Sequence, residues 1–271
     1  MTEVRRGYIE AAGARLEYAW SGPDPGTAPT LVFLHEGLGC VSTWREFPNR
    51  LAEETGFRAF VYSRPGYGRS DPVELPRPPD FMEHEARTVL PEAPRAAGIS
   101  RFFLVGHSDG ASIALIFAAT AATAREGLLG LCLEAPHVFV EDITIKSITE
   151  IGESYRSGVL RQRLLRHHGT NVDGAFWGWN RVWLDPRFRE WNIVNLLGAI
   201  DVPVQVLQGV DDEYGTLDQV AAIKEGVPGL VWMRLLDACG HSPHRDRAEA
   251  VLAEMACFIA DCSANLDGRR A

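Results

Sequence analysis

Short apolar runs alternate with longer stretches of helical period, and this alternation constrains the fold more than any other feature. Residues 30–34, 58–62, 102–105, 129–133, 204–207 and 231–235 have the length and apolar content of buried strands. Residues 8–10 and 15–18 read as an antiparallel hairpin turning at Ala12-Gly13. Ser42 or Thr43 is placed to cap a helix ending at Gly56, and Asp109 to open one running to about Ala124. Residues 247–261 put Val251, Leu252, Met255, Phe258 and Ile259 on one helical face. An α/β fold is expected, with a mostly parallel sheet flanked by helices.

The alternation breaks once. Residues 137–199 turn helical and hold Phe176, Trp177, Trp179, Trp183, Phe188 and Trp191. The expected organisation is a core of residues 1–136 and 200–271, with residues 137–199 as a helical lid over the C-terminal edge of the sheet. Aromatic side chains in such a tract mostly pack against one another. A lid nevertheless covers something, so Trp177, Trp179 and Trp183 are candidate substrate contacts, together with His137 where the lid departs.

Chemistry enters at Gly106-His107-Ser108-Asp109-Gly110. A G-x-S-x-G string arises by chance in about one chain in ten of this length, so its setting decides. Here it directly follows an apolar strand and directly precedes the helical run Ala111-Ser112-Ile113-Ala114-Leu115-Ile116, the setting of a nucleophile elbow. A serine held at positive φ in that turn needs neighbours without a Cβ, and Gly106 and Gly110 supply them. A serine hydroxyl also needs a base, and the base needs a carboxylate to orient it. The loop after residues 204–207 carries Asp211 and Asp212, and the loop after residues 231–235 carries His241. Loops that follow parallel strands open on one edge of the sheet, so these residues can converge on Ser108.

Over nearly its whole length the chain resembles the α/β-hydrolase family, in its capped, esterase-like form. Gly209-Val210-Asp211-Asp212 is similar to the family's G-x-x-D and thereby selects Asp212 over Asp211 as the acid. Gly240-His241 is similar to the G-H that carries the base, and Pro65-Gly66-Tyr67-Gly68-Arg69-Ser70 to a P-G-x-G-x-S turn, with Ser63 where Asp is commoner. The resemblance implies an oxyanion hole from the amides of Gly37 and Asp109. The loop that carries Gly37 reads His35-Glu36-Gly37-Leu38-Gly39, with Glu36 replacing a glycine of the usual H-G-x-P-G. Glu36 either faces the substrate or sits on the outer side of its loop. Asp109 either caps the following helix or binds a cationic group. Glu134 is the reserve triad acid, because some relatives place theirs at the end of that strand. His35, His107 and His244 are expected to be structural.

Composition excludes more than it proposes. Twenty-seven basic against 36 acidic residues leave a net charge of −9, which repels phosphate backbones and anionic lipid. The one basic stretch, Arg161, Arg163, Arg166, His167 and His168, reads as a solvated helix face. Five cysteines without a CxxC pair fit reduced thiols, and no cofactor or structural metal is expected. With no apolar leader and no membrane-length apolar run, a cytoplasmic protein without nucleic-acid or membrane partners is expected, acting on a small molecule. The expected reaction is hydrolysis of a carboxylic ester, lactone or thioester. Carbon–carbon hydrolysis or perhydrolysis on the same triad is the nearest alternative, and a non-catalytic receptor of this fold a more distant one.

Overall fold

The computed structural model describes residues 4–23, 28–121 and 123–268. Its strands are β1 (Arg5–Ala11), β2 (Ala14–Ser21), β3 (Thr30–Leu34), β4 (Arg58–Tyr62), β5 (Phe102–His107), β6 (Leu128–Glu134), β7 (Val204–Gly209) and β8 (Val231–Leu236). They form one sheet in the order β1-β2-β4-β3-β5-β6-β7-β8. The β1–β2 and β2–β4 pairs are antiparallel and every later pair is parallel. The expected hairpin turns at Ala12 and Gly13, both at positive φ (52° and 73°), as a tight two-residue β-turn requires.

The helices are α1 (Phe47–Thr55), α2 (Phe81–His84), α3 (Leu90–Ala96), α4 (Asp109–Thr120), α5 (Asp142–Arg156), α6 (Val159–His168), α7 (Val172–Trp183), α8 (Leu217–Gly226), α9 (Pro243–Asp246) and α10 (Ala248–Gly268). Strict alternation along the strands sorts them to the two faces of the sheet. Leu31, Phe33, Phe103 and Val105 join the core cluster that includes Leu51 of α1 and Met255 and Phe258 of α10. Val32, Leu34, Leu104 and Leu133 join the one that includes Ile113 and Ile116 of α4 and Val220 and Ile223 of α8.

Three helix boundaries differ from the sequence expectation. Ser42 and Thr43 lie within a 3-10 turn, Val41–Trp44, and Arg45 at φ 52° breaks the chain before α1 begins at Phe47. α4 stops at Thr120, short of Ala124. Arg247 separates α9 from α10, so the C-terminal helix starts one residue later than expected.

Between β6 and β7 the chain runs through α5, α6 and α7 without a strand. This insertion leaves and returns at one point, where Phe139 bridges Asn192. Its aromatics close on one another: Tyr155 stacks on Phe176 at 3.7 Å between centroids, and Phe188 on Trp191 at 5.3 Å. The basic stretch is not uniformly solvated. His168 is buried, accepting the amide of Gly68 at Nδ1 (3.0 Å) and donating from Nε2 to the carbonyl of Leu38 (3.0 Å). His167 bonds the Ser42 hydroxyl at 2.8 Å. These imidazoles fasten the insertion to the core, and burial lowers the pKa of His168 to about 4. Among the described residues no helix is long and apolar enough to cross a membrane.

Candidate active site

β5 delivers Ser108 into a turn at φ 53°, ψ −120°, a conformation costly for any residue with a Cβ. Glycine is obligatory on both sides. A Cβ on Gly106 would stand 2.7 Å from the Cα of Ala111, and one on Gly110 would stand 2.1 Å from the carbonyl oxygen of Leu34. The turn is fixed by the Ser108 amide donating to the Glu134 carbonyl, and by Ala111 and Ser112 amides donating back to the Ser108 carbonyl.

The loops after β7 and β8 meet at this turn. Ser108 Oγ lies 2.9 Å from Nε2 of His241, and His241 Nδ1 lies 2.9 Å from both carboxylate oxygens of Asp212. Asp212 also accepts the amide of Tyr214 (2.8 Å) and the Gln208 side-chain amide (2.7 Å). Burial opposes its charge, but His241 and these donors outweigh burial and hold its pKa down to about 2. Asp212 is therefore ionised at neutral pH, so Nδ1 of His241 carries the proton and Nε2 is free to accept one from serine.

The other carboxylates are engaged elsewhere. Asp211 is exposed. Glu134 accepts from His244 at both the backbone amide (3.0 Å) and Nδ1 (2.7 Å). The pair is wholly buried, and His244 holds the Glu134 carboxyl below its usual range against the pull of burial. His107 donates from Nε2 to the His241 carbonyl (2.6 Å), and its Nδ1 faces Glu36 at 3.6 Å. His35 donates from Nδ1 to the Glu36 carbonyl (2.7 Å) and accepts the Arg64 amide at Nε2 (3.0 Å), while the Arg64 guanidinium reaches the carbonyls of His35 and Glu36.

A cavity of about 210 Å³ opens beside Ser108, lined in part by Glu36, Gly37, Asp109, His137, Trp179 and Trp183. Glu36 thus faces the cavity, although Arg245 (3.4 Å) and His107 engage its carboxylate and, against burial, hold its pKa well down. Among the described residues the amides of Gly37 and Asp109 have no hydrogen-bond partner. The Asp109 carboxylate caps no helix amide: it accepts the indole N–H of Trp183 at 3.2 Å, and burial raises its pKa. His137 is buried 5.6 Å from His241 between ring centroids, and burial lowers its pKa to about 3. Trp177 stands apart from the cavity. It is packed against Tyr155 and Phe176, with the guanidinium groups of Arg156 and Arg181 over its ring.

Sequence reasoning missed Tyr214, whose ring lies 4.7 Å from that of His241, and the buried Gln208 and Arg64. A second glutamine, after Gln205, at the end of the buried strand β7 was the available signal for Gln208; none pointed to Arg64.

No curated protein matches the sequence significantly. Solved structures of the same fold are numerous. A thermophilic esterase from Thermogutta terrifontis superposes with a TM-score of 0.70 at 20% identity, over 95% of this chain and 99% of that one. Naproxen esterase from Bacillus subtilis gives 0.73 at 16%, over 95% and 92%. Proline iminopeptidase from Mycobacterium smegmatis gives 0.70 at 17%, over 97% and 100%. The model of the alpha/beta hydrolase family matches residues 31–254. The chain belongs to the alpha/beta hydrolase family.

Proposed function

We propose that the chain is a serine hydrolase that cleaves a carboxylic ester, lactone or thioester of a small to medium, moderately apolar acyl group through an acyl-enzyme. The single observation that carries this reading is the 2.9 Å contact between Ser108 Oγ and His241 Nε2, with Asp212 on the far nitrogen of the ring. In this mechanism Nε2 takes the hydroxyl proton as Oγ attacks the acyl carbon. The oxyanion is received by the amides of Gly37 and Asp109 at the N-terminus of α4. The protonated imidazole, stabilised by Asp212, gives its proton to the departing alcohol or thiol. Water, deprotonated by His241, then releases the acid and restores Ser108.

The cavity volume and its apolar wall of Leu38, Ile148, Trp179 and Trp183 support a compact, partly apolar acyl group. In this reading residues 137–199 are the lid. Esterases among the structurally similar proteins agree with it. A fluorophosphonate probe tests the reading: stoichiometric labelling of the wild type that disappears in Ser108→Ala supports it, and an unlabelled wild type would sink it in favour of a receptor.

A further inference from the structure

Asp109 carries a feature that the hydrolytic steps leave unused. Its side chain is 1% exposed, yet it lines the cavity beside Ser108. One carboxylate oxygen accepts from Trp183; the other, Oδ2, is buried without a hydrogen-bond partner. Buried acceptors are nearly always satisfied, so an orphan on a cavity wall marks where a ligand donor belongs. Burial raises the pKa of Asp109; Arg64 and Arg77 offset part of that rise in favour of the ionised form, and neither lines the cavity. The cavity wall itself is acidic. Glu36 and Glu213 also line it, and its one arginine, Arg245, is already engaged by Glu36 and the Thr43 carbonyl.

We propose that the Asp109 carboxylate receives a protonated amine on the acyl part of the substrate. The preferred substrates are then aminoacyl esters or thioesters whose ammonium lies two or three bonds from the carbonyl carbon. The acyl assignment follows from position. The leaving group departs toward His241, which returns the proton, whereas the Asp109 carboxylate is held on the insertion side by Trp183. An ammonium there gains a charge-assisted hydrogen bond in a site shielded from water, where such bonds are strongest. A neutral acyl group leaves Oδ2 unpaired.

The inference rests on the serine-hydrolase reading, and one experiment separates the two. The kcat/KM of the 4-nitrophenyl ester of leucine is compared with that of 4-nitrophenyl 4-methylpentanoate, its counterpart without the amine. Each value is divided by that ester's rate with hydroxide, because the ammonium itself activates the carbonyl. The normalised preference for the amino ester is expected to be roughly 10- to 100-fold in the wild type, and to fall to near unity in Asp109→Asn. Because a ratio is read, any shared loss in the variant cancels. Turnover of both esters with no normalised preference in the wild type would overturn this inference and leave the hydrolase reading standing. So would a preference that survives in Asp109→Asn. Turnover of neither ester would overturn both.

Discussion

His107 donates from Nε2 to the backbone carbonyl of His241 at 2.6 Å. The residue before the serine thus grips the backbone of the residue that contacts the serine. Its other nitrogen faces Glu36, which holds His107 toward the protonated form against the pull of burial. His107→Leu removes this grip without touching Ser108, His241 or Asp212. Since misplacing a catalytic group by about 1 Å costs about 100-fold, kcat is expected to fall by about 10- to 100-fold with KM little changed. Steady-state kinetics on one aryl ester decides it, and a kcat within two-fold of the wild type would remove His107 from any positioning role.

The two candidate acids make opposite predictions. Asp212→Asn keeps the shape but loses the tautomer control on His241, and kcat is expected to drop by about 10³- to 10⁴-fold with little loss of stability. Glu134→Ala strands His244 in the core, and breaking a buried pair costs about 3–5 kcal/mol. That loss should appear in urea denaturation while the folded fraction retains its turnover. Exchange of these phenotypes would transfer the acid's role to Glu134.

Stability should carry the signature of a buried neutral histidine. The pKa of His168 is lowered from about 6.5 in an unfolded chain to about 4 when folded. The unfolded state therefore binds the extra proton first as pH falls. The contribution is fully present above about pH 6.5 and is lost progressively down to about pH 4, amounting to roughly 3 kcal/mol. His168→Gln, which can still donate to Leu38 and accept from Gly68, is expected to lose less stability than the wild type between pH 7 and pH 4.5. Parallel denaturation curves at both pH values would contradict this.

Gly110→Ala places a methyl 2.1 Å from the backbone oxygen of Leu34. Neither partner is a flexible side-chain end, so the clash is expected to cost about 3 kcal/mol, at the upper end of overpacking. A drop in Tm of several degrees would register it, and an unchanged Tm would show that the elbow yields.

The sheet was legible because each strand sits in a short apolar run ended by turn residues, and because parallel topology sends every post-strand loop to one edge. Ser108, Asp212 and His241 were found from local strings whose positions that topology dictates. Side-chain partnerships across elements were not legible. Nothing in the sequence marks His168 as buried between Gly68 and Leu38, or Trp177 as standing clear of the cavity while Trp179 and Trp183 line it. The three tryptophans share one helix, and which of its faces meets the core depends on how the whole insertion docks. The capping reading of Asp109 failed for a related reason: Trp183, 74 residues away in sequence, holds its carboxylate.

Gly37 lies so close beneath Trp179 that a methyl group on it would sit 2.0 Å from the indole nitrogen. In evolutionary terms the two positions cannot drift independently. A descendant with alanine at position 37 needs a smaller side chain at position 179, and one that loses the indole releases the constraint on the glycine. Across a lineage, substitutions at these sites should therefore arrive together, linking the loop after β3 to the insertion through one ring.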